Sequence, residues 1–214
     1  MSGAIVVSRA GAAIVALTCG LADGAVTRLA AVFGAGARVR AVGQYAFDGL
    51  ALEQCGALLV SMHADQRFLA ARRDRLDAFV RRGGTVVANG HVAYPFLSGL
   101  APFQPIENYR LADLAVNRER PHPIWEGVDP QDLTFRRGVA GFYGRGWHQP
   151  PEGAAVHSSL GRRRLPLDFT YRLGRGRVLF HGGNDIWQFS SEGDSTRRIV
   201  PQLVGWLLSA EPTA

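Results

Sequence analysis

Short apolar runs recur along the chain and predict the strands of a buried sheet. Four of them are continuous and rich in β-branched or other apolar residues, and one, over residues 38–45, alternates between apolar and polar positions. The continuous runs cover residues 12–18, 57–62, 85–88 and 177–180. Continuous runs of this length are typical of parallel strands, which helices cover on both faces of a sheet.

Segments with helical spacing of apolar residues lie between or after these strands. Asp23 is a suitable N-cap for a helix over residues 25–33, which two glycines would end. A second helix is predicted over residues 66–82. A third, over residues 195–208, would direct one apolar stripe toward the core, made of Ile199, Leu203, Trp206 and Leu207.

The alternation of strands and helices predicts a single domain over residues 1–214 with an α/β, flavodoxin-like fold. Its doubly wound, mostly parallel sheet would carry helices on both faces. Residues 94–173 break the pattern because they are rich in proline, glycine and aromatic residues. We expect them to form an irregular Pro/Gly-rich insert of loops and short, partly antiparallel strands over one edge of the sheet.

Composition excludes several classes of protein. Of the 214 residues, 47% are hydrophobic, which suits a globular core, and no apolar run reaches the ~18–20 residues of a membrane helix. The net charge is +6, but all 24 basic residues are arginine. A GC-rich coding sequence explains this better than nucleic-acid binding, because a phosphate-binding surface gains nothing by excluding lysine. We therefore expect neither a membrane nor a nucleic-acid partner.

The two cysteines, Cys19 and Cys55, match neither a disulfide framework nor the spacing of a zinc site. Both adjoin apolar runs, so we expect both to be buried. Residues 9–21 resemble a short signal peptide, but a first core strand accounts equally well for their apolar character. A cytoplasmic location is the simpler expectation.

Two distant segments, residues 83–91 and 176–185, share one pattern of glycine, a short apolar strand and then polar side chains. Parallel strands bring their carboxyl ends to a common edge, where ligands of open α/β sheets bind. We expect one solvent-accessible cleft there, with His63 at its margin. Its candidate catalytic residues are His181, His91 and Asp185, and its candidate binding residues are His63, Asp65, Asn89 and Asn184.

Imidazole, carboxylate and amide groups at one edge suit more than one kind of site. They could act as general acids and bases on a sugar or another polyol, or they could hold a divalent metal ion. Asn-Gly and Gly-Gly-Asn-Asp are also ordinary turn sequences, so the same residues can be purely structural. The sequence therefore assigns no cofactor and no metal. Histidines this close would repel one another when protonated, so at least one should have a lowered pKa.

Three motifs follow one another in a characteristic order. They are a Gly-Gly-Thr-Val-Val strand, the segment His-Pro-Ile-Trp-Glu-Gly-Val within the insert, and the strand Gly-Arg-Gly-Arg-Val-Leu-Phe-His. In this order the chain resembles the class I glutamine amidotransferase-like superfamily, and within it the trehalose-utilisation-like branch and the amidotransferase-like domains attached to glycosidases. The resemblance implies that His181 matches the catalytic base. It also implies that a nucleophilic cysteine belongs at the turn after the Gly-Gly strand.

The chain departs from this superfamily at the positions that carry out glutamine chemistry. Residues 88–93 read Ala-Asn-Gly-His-Val-Ala and contain no cysteine, serine or threonine. Gly183 stands where the superfamily has the glutamate that follows its catalytic histidine. Acyl transfer needs a nucleophile within reach of its base, so we do not expect glutamine hydrolysis.

Two functions remain open. The missing nucleophile favours a non-catalytic module that binds a small polar ligand, such as a sugar, or forms a homo-oligomer. The polar strand ends favour the alternative, a small-molecule enzyme that processes a sugar or polyol with His181 and either His91 or Asp185. We favour the non-catalytic module, because a fold can persist without its original chemistry.

The purified protein should release no ammonia from glutamine, because residues 88–93 hold no nucleophile. An ammonia-release assay on the wild-type protein and on Cys19→Ala tests this expectation. Glutaminase activity that disappears in Cys19→Ala would place the nucleophile after another strand and contradict the prediction.

Overall fold

The chain forms one large sheet, two small two-stranded sheets and four short helices within the residues that the computed structural model describes. Those residues are 13–19, 39–136, 138–189 and 193–209. The helix expected over residues 25–33, with Asp23 as its cap, lies outside them. The strands are β1 Ala13–Thr18, β2 Val39–Gly43, β3 Cys55–Val60, β4 Thr85–Asn89, β5 Gln104–Pro105, β6 Val116–Arg118, β7 Phe135–Arg136, β8 Val139–Ala140, β9 Gly146–Trp147, β10 Ala155–Leu160, β11 Leu165–Leu173 and β12 Gly176–His181.

The helices connect or flank these strands. They are α1 Gln66–Ala70, α2 Arg73–Arg81, α3 Pro130–Thr134 and α4 Ile199–Leu208. Short 3-10 helices occur at Gln44–Gly49, Leu52–Gln54, Leu111–Leu114, Pro123–Trp125, Ile186–Gln188 and Ser195–Arg198.

The large sheet has eight strands in the order β2-β1-β3-β4-β12-β11-β10-β6. The five strands from β2 to β12 run parallel, and β11, β10 and β6 continue the sheet in antiparallel pairs. Val86 pairs with Val178 and Val87 with Leu179 in the parallel ladder between β4 and β12. The sheet is therefore mostly parallel, and the expected pairing of the two glycine-led strands is confirmed.

Side chains alternate along the parallel strands between two apolar cores. On one face Ala16, Leu59 and Val87 pack with the buried side of α4. On the other face Leu17, Leu58 and the strand residues beside them pack with α1 and α2. Helices on both faces explain why these strands are apolar throughout rather than alternating with polar residues. The four side chains of α4 that were expected to face the core are all buried: Ile199, Leu203, Trp206 and Leu207.

The insert over residues 94–173 is more regular than its composition suggested. It supplies β6, β10 and β11 to the large sheet, in addition to its loops and short hairpins. These three strands extend the sheet beyond β12 in the antiparallel sense. Most proline and glycine residues of the insert lie outside these three strands, so the composition of the insert as a whole did not predict the strands.

Three local predictions differ from the structure. The helix expected over residues 66–82 breaks at Ala71 and Arg72, where the guanidinium of Arg72 forms a two-pronged ion pair with Asp48. The strand expected over residues 38–45 ends at Gly43, and a 3-10 turn follows. The expectation that both cysteines are buried is wrong: Cys19 is exposed, and Cys55 is half-buried as the first residue of β3.

None of the helices in the described part of the chain is long and apolar enough to cross a membrane.

Replacing Gly176 by alanine should destabilise the fold, because the new Cβ would lie 2.0 Å from the carbonyl oxygen of Val80 and 2.3 Å from that of Gly84. Backbone atoms cannot yield as a flexible side chain can, so the loss of unfolding free energy should be about 1–3 kcal/mol or more. Urea unfolding measures it. Gly49→Ala is the matched control, since nothing lies within 4 Å of its new Cβ. Equal unfolding midpoints for the two variants would contradict the prediction.

Candidate functional site

The predicted site residues lie at the edge of the sheet where the parallel strands end, which we call the carboxyl edge. The strands β3, β4 and β12 are neighbours, so their polar ends meet there as expected. The amide of Gly90 donates a hydrogen bond to the carbonyl of His181, which joins the ends of β4 and β12. The edge is thus confirmed, but the side chains at it have very different surroundings.

His181 is fully buried and pairs with Asp168 of the adjacent antiparallel strand β11. Its Nδ1 lies 2.5 Å from Asp168 Oδ1. An ionised carboxylate can only accept, so Nδ1 carries the hydrogen and donates it. The expectation that His181 borders a solvent-accessible cleft is wrong, because its exposed fraction is 0%.

A row of polar side chains crosses the sheet through this pair. In register, Asn89 lies beside His181, His181 beside Asp168, and Asp168 beside Ser158, which in turn lies beside Arg118. Arg118 Nη1 donates to Ser158 Oγ over 2.7 Å. The row spans β4, β12, β11, β10 and β6, so it joins the parallel part of the sheet to the antiparallel part.

Asp168 is the centre of the row. Burial works to raise the pKa of this carboxyl, but the charge and hydrogen bond of His181, with further help from Ser158 and Arg118, hold it below its usual range. Tyr143 also donates its hydroxyl to Asp168 Oδ2 over 2.9 Å. The sequence offered no signal for Asp168 as a site residue, because its position opposite His181 depends on the register of strands within the insert.

The second nitrogen of His181 has no hydrogen-bond partner among the described residues, although it is buried. A Cβ at Gly183 would lie 2.9 Å from this Nε2 and 1.8 Å from the carbonyl oxygen of Tyr143. Only glycine fits between the imidazole and that backbone. A side chain at position 183 is therefore excluded by packing.

Asp185 holds the end of β12 against the end of β3. Its carboxylate accepts from Ser61 Oγ over 2.8 Å and from the amide of Met62 over 2.6 Å. Burial raises the pKa of Asp185, and these two hydrogen bonds oppose the rise. Asp185 is 4% exposed, so it lies beneath the surface, as His181 does. His63 is exposed shortly after the end of β3, and its place at the margin of a cleft stays a prediction.

Asn89 and Asp65 make structural hydrogen bonds. The side chain of Asn89 is buried, donates to the carbonyl of Val60 and accepts from the amide of Ile186. Asp65 caps α1 by accepting from the amide of Phe68 over 3.1 Å, and the hydroxyl of Tyr45 donates to it as well.

His91 and Asn184 line a surface depression of about 250 Å³ at the carboxyl edge. Phe142 and Arg145 form its other side chains, and glycine backbone at positions 141, 144 and 183 completes the wall. The ring of His91 stacks on Phe103 with centroids 3.7 Å apart. Of the seven predicted residues, these are the two that reach this depression.

The pKa of His91 is lowered chiefly by burial, then by the charges of His181 and Arg145. The expectation of at least one histidine with a lowered pKa at this edge is therefore met, although burial has a larger effect than repulsion between imidazoles. His148, which sequence analysis left without a role, lies behind the same edge. Its Nε2 accepts from the amide of Val92 over 3.1 Å, and burial lowers its pKa to about 3.

The turn after β4 is where the superfamily resemblance expects a nucleophile. Gly90 occupies it with φ +97°, a left-handed conformation that favours glycine. A Cβ there would lie 2.8 Å from both Cα and Cβ of Met62. Position 90 therefore has neither a reactive side chain nor the space for one. Within the described ranges, no group of three or more histidine, cysteine, aspartate or glutamate side chains is placed to hold a metal ion.

The sequence matches no family model and no curated protein. Solved structures share its fold at low identity. The cytoplasmic protein STM3548 of Salmonella typhimurium has a TM-score of 0.57 and 11% identity over 92% of this chain and 98% of its own. The β-galactosidase of Rahnella sp. R3 has a TM-score of 0.55 and 14% identity over 92% of this chain. The exo-β-1,4-mannosidase Op5Man5 of Opitutaceae bacterium strain TAV5 has a TM-score of 0.51 and 14% identity over 92% of this chain.

These likenesses show a shared fold. The chain spans 31% of the β-galactosidase and 35% of the mannosidase, whereas it spans nearly all of STM3548. The same fold thus occurs as about a third of larger glycosidase chains and as almost an entire smaller chain.

Replacing Asp168 by asparagine should lower the free energy of unfolding at pH 7 by about 3–5 kcal/mol, because His181 loses a buried charged partner. The folded-state pKa of Asp168 lies below its unfolded value, so its stabilisation is present above the unfolded pKa and is lost as pH falls through the folded one. The gap in the free energy of unfolding between wild type and Asp168→Asn should therefore narrow below about pH 4.

Urea unfolding at several pH values measures this gap. Asp74→Asn is the control, since Asp74 is exposed and should change the free energy of unfolding by less than about 1 kcal/mol. A gap between wild type and Asp168→Asn that stays constant from pH 7 to pH 3 would show that the ionised form of Asp168 does not stabilise the fold.

Proposed function

We propose that this chain is an amidotransferase-like domain without glutaminase activity, which works as a non-catalytic module and binds a small polar ligand at the carboxyl edge. Numbered along the chain, its five parallel strands have the order 2-1-3-4-5, which is typical of flavodoxin-like folds and supports that part of the proposal. Ligands of such sheets bind beyond the carboxyl ends of the strands, where the depression lies. A cytoplasmic location is part of the same proposal.

The observation that carries the non-catalytic part is the occupied space at Gly90. A nucleophile on a sharp turn after a strand must project its side chain into an open site. At Gly90 the backbone of Met62 fills the space in which that side chain would begin. Loss of the nucleophile is thus accompanied by closure of its site, which is unfavourable for acyl transfer through any residue at this position.

The larger chains that share the fold support a role as an accessory module. In the β-galactosidase and the mannosidase this fold accounts for about a third of the chain. Binding of a sugar-like ligand beside a separate catalytic part would suit such an arrangement. Self-association is the other form that a non-catalytic module can take, and light scattering on the purified protein distinguishes a homo-oligomer from a monomer.

One observation favours the alternative, an enzyme that processes a sugar or polyol. His181 donates from Nδ1 to Asp168, so in the neutral imidazole Nε2 is the acceptor that a general base requires. The imidazole would need a local opening to reach a substrate, because it has no exposed surface. Turnover of a chromogenic glycoside by the wild-type protein, lost in His181→Gln, would favour this alternative over the non-catalytic module.

Gly90→Cys should not create glutaminase activity, and it should destabilise the protein. The new side chain combines a strained left-handed backbone with a clash against Met62. Gly153→Cys is the matched control, because Gly153 has φ +75° but nothing within 4 Å of its new Cβ. The free energy of unfolding, measured with urea, should be lower for Gly90→Cys by about 1–3 kcal/mol relative to Gly153→Cys.

Ammonia release from glutamine is measured on the same preparations. A stable Gly90→Cys protein that hydrolyses glutamine would mean that the turn can still hold a working nucleophile. The proposed lack of glutaminase activity would then rest on one missing side chain, and the argument that the turn is closed to a nucleophile would be overturned.

A further inference from the structure

Three polar side chains that line the depression keep hydrogen-bonding groups without a partner among the described residues. The side chains of His91 and Asn184 make no hydrogen bond to any described residue. Arg145 donates from Nε to the carbonyl of Gly141 over 3.1 Å, which leaves its terminal nitrogens free of described acceptors. Converging polar groups that the fold leaves unpaired are the usual means by which a pocket fixes the orientation of its ligand.

The side chains that line the depression include a cation and no carboxylate. Arg145 is exposed at its rim, and no aspartate or glutamate is among the residues that line it. The nearby carboxylates of Asp168 and Asp185 lie below the surface and are already hydrogen-bonded. A ligand in the depression would therefore meet one unneutralised guanidinium, which pairs best with a planar oxyanion such as a carboxylate.

Two buried nitrogens lie close to the backbone at this edge. His181 Nε2 has no partner among the described residues and lies 2.9 Å from the position that a Cβ of Gly183 would take. His148 Nδ1 is also buried and has no described partner, 3.2 Å from the Cβ position of Gly182. Both rings have almost no exposed surface, so a ligand in the depression would contact the accessible side chains of His91, Arg145 and Asn184.

Size and shape narrow the class of ligand. The volume of about 250 Å³ is below the roughly 300–1,000 Å³ of pockets for drug-sized molecules. Phe142 presents a ring that is 39% exposed, and aromatic faces pack against the apolar face of a sugar ring. Because the pKa of His91 is lowered, its imidazole is neutral near pH 7 and can both donate to and accept from hydroxyl groups.

We propose that the depression binds a monosaccharide acid, with the ligand carboxylate on Arg145, its hydroxyl groups on Asn184 and His91, and its ring against Phe142. This inference rests on the proposed function as a binding module and specifies the class of its ligand. Arg145 lies in the insert, and the histidine and the asparagine follow β4 and β12, so the site depends on all three segments being folded together.

NMR titration of the full chain with D-glucuronate and with D-glucose tests the proposal, because the two sugars differ only in the carboxylate. Glucuronate should bind saturably with a Kd on the order of 1 mM or tighter. It should shift the backbone amide signals of Gly183 and Asn184, and glucose should bind about tenfold more weakly. Arg145→Gln should weaken glucuronate binding about tenfold and leave glucose binding unchanged.

Arg82→Gln is the matched control, since Arg82 is exposed at the end of α2, toward the opposite edge of the sheet, and should bind no ligand. The monosaccharide-acid inference would be overturned if the protein bound the two sugars with equal affinity. It would also be overturned if the Arg145 and Arg82 variants lost the same amount of affinity for glucuronate. Either result would leave the proposed binding module in place. Absence of binding by both sugars at the depression would overturn the inference and the proposed sugar-binding function together.

Discussion

The buried contact between Asp168 and His181 is the interaction on which the rest of the carboxyl edge depends. A carboxylate with no exposed surface is unfavourable unless charged and hydrogen-bonded groups surround it. Here His181 and Tyr143 both donate to Asp168, and Tyr143 in turn accepts from Trp125 Nε1 over 2.8 Å. The pair therefore fixes the register between the last parallel strand and the first antiparallel one. It also orients His181 so that its free nitrogen lies under the turn at Gly183.

The sequence predicts the parallel half of the sheet well, because the evidence for it is local. Each strand is an apolar run bounded by glycine or polar residues, and parallel chain direction alone brings the ends of β3, β4 and β12 to one edge. The positions of His91, His181 and Asp185 at that edge follow from strand order without any knowledge of side-chain packing.

The rest of the site could not be predicted, because it depends on contacts between distant segments. Asp168 faces His181 only through the antiparallel register of β11, and Arg145 reaches the depression from a loop of the insert. Periodicity gives no information on such pairings. The sequence does not reveal exposure either: His181 ends β12 and His91 follows the neighbouring β4, yet His181 is buried and His91 lies at the surface.

The closed turn at Gly90 and the buried histidine at the end of β12 both fit the proposed non-catalytic function. A catalytic base must be reachable, and it must have a nucleophile to deprotonate. Met62 packs against Gly90 and leaves no room for a side chain there, and the Tyr143 backbone packs over Gly183 beside the buried His181. The polar side chains that line the depression belong to His91, Arg145 and Asn184. In the proposed binding module, these side chains in the loops beyond the strand ends would hold a ligand, and the buried His181 would not react with it.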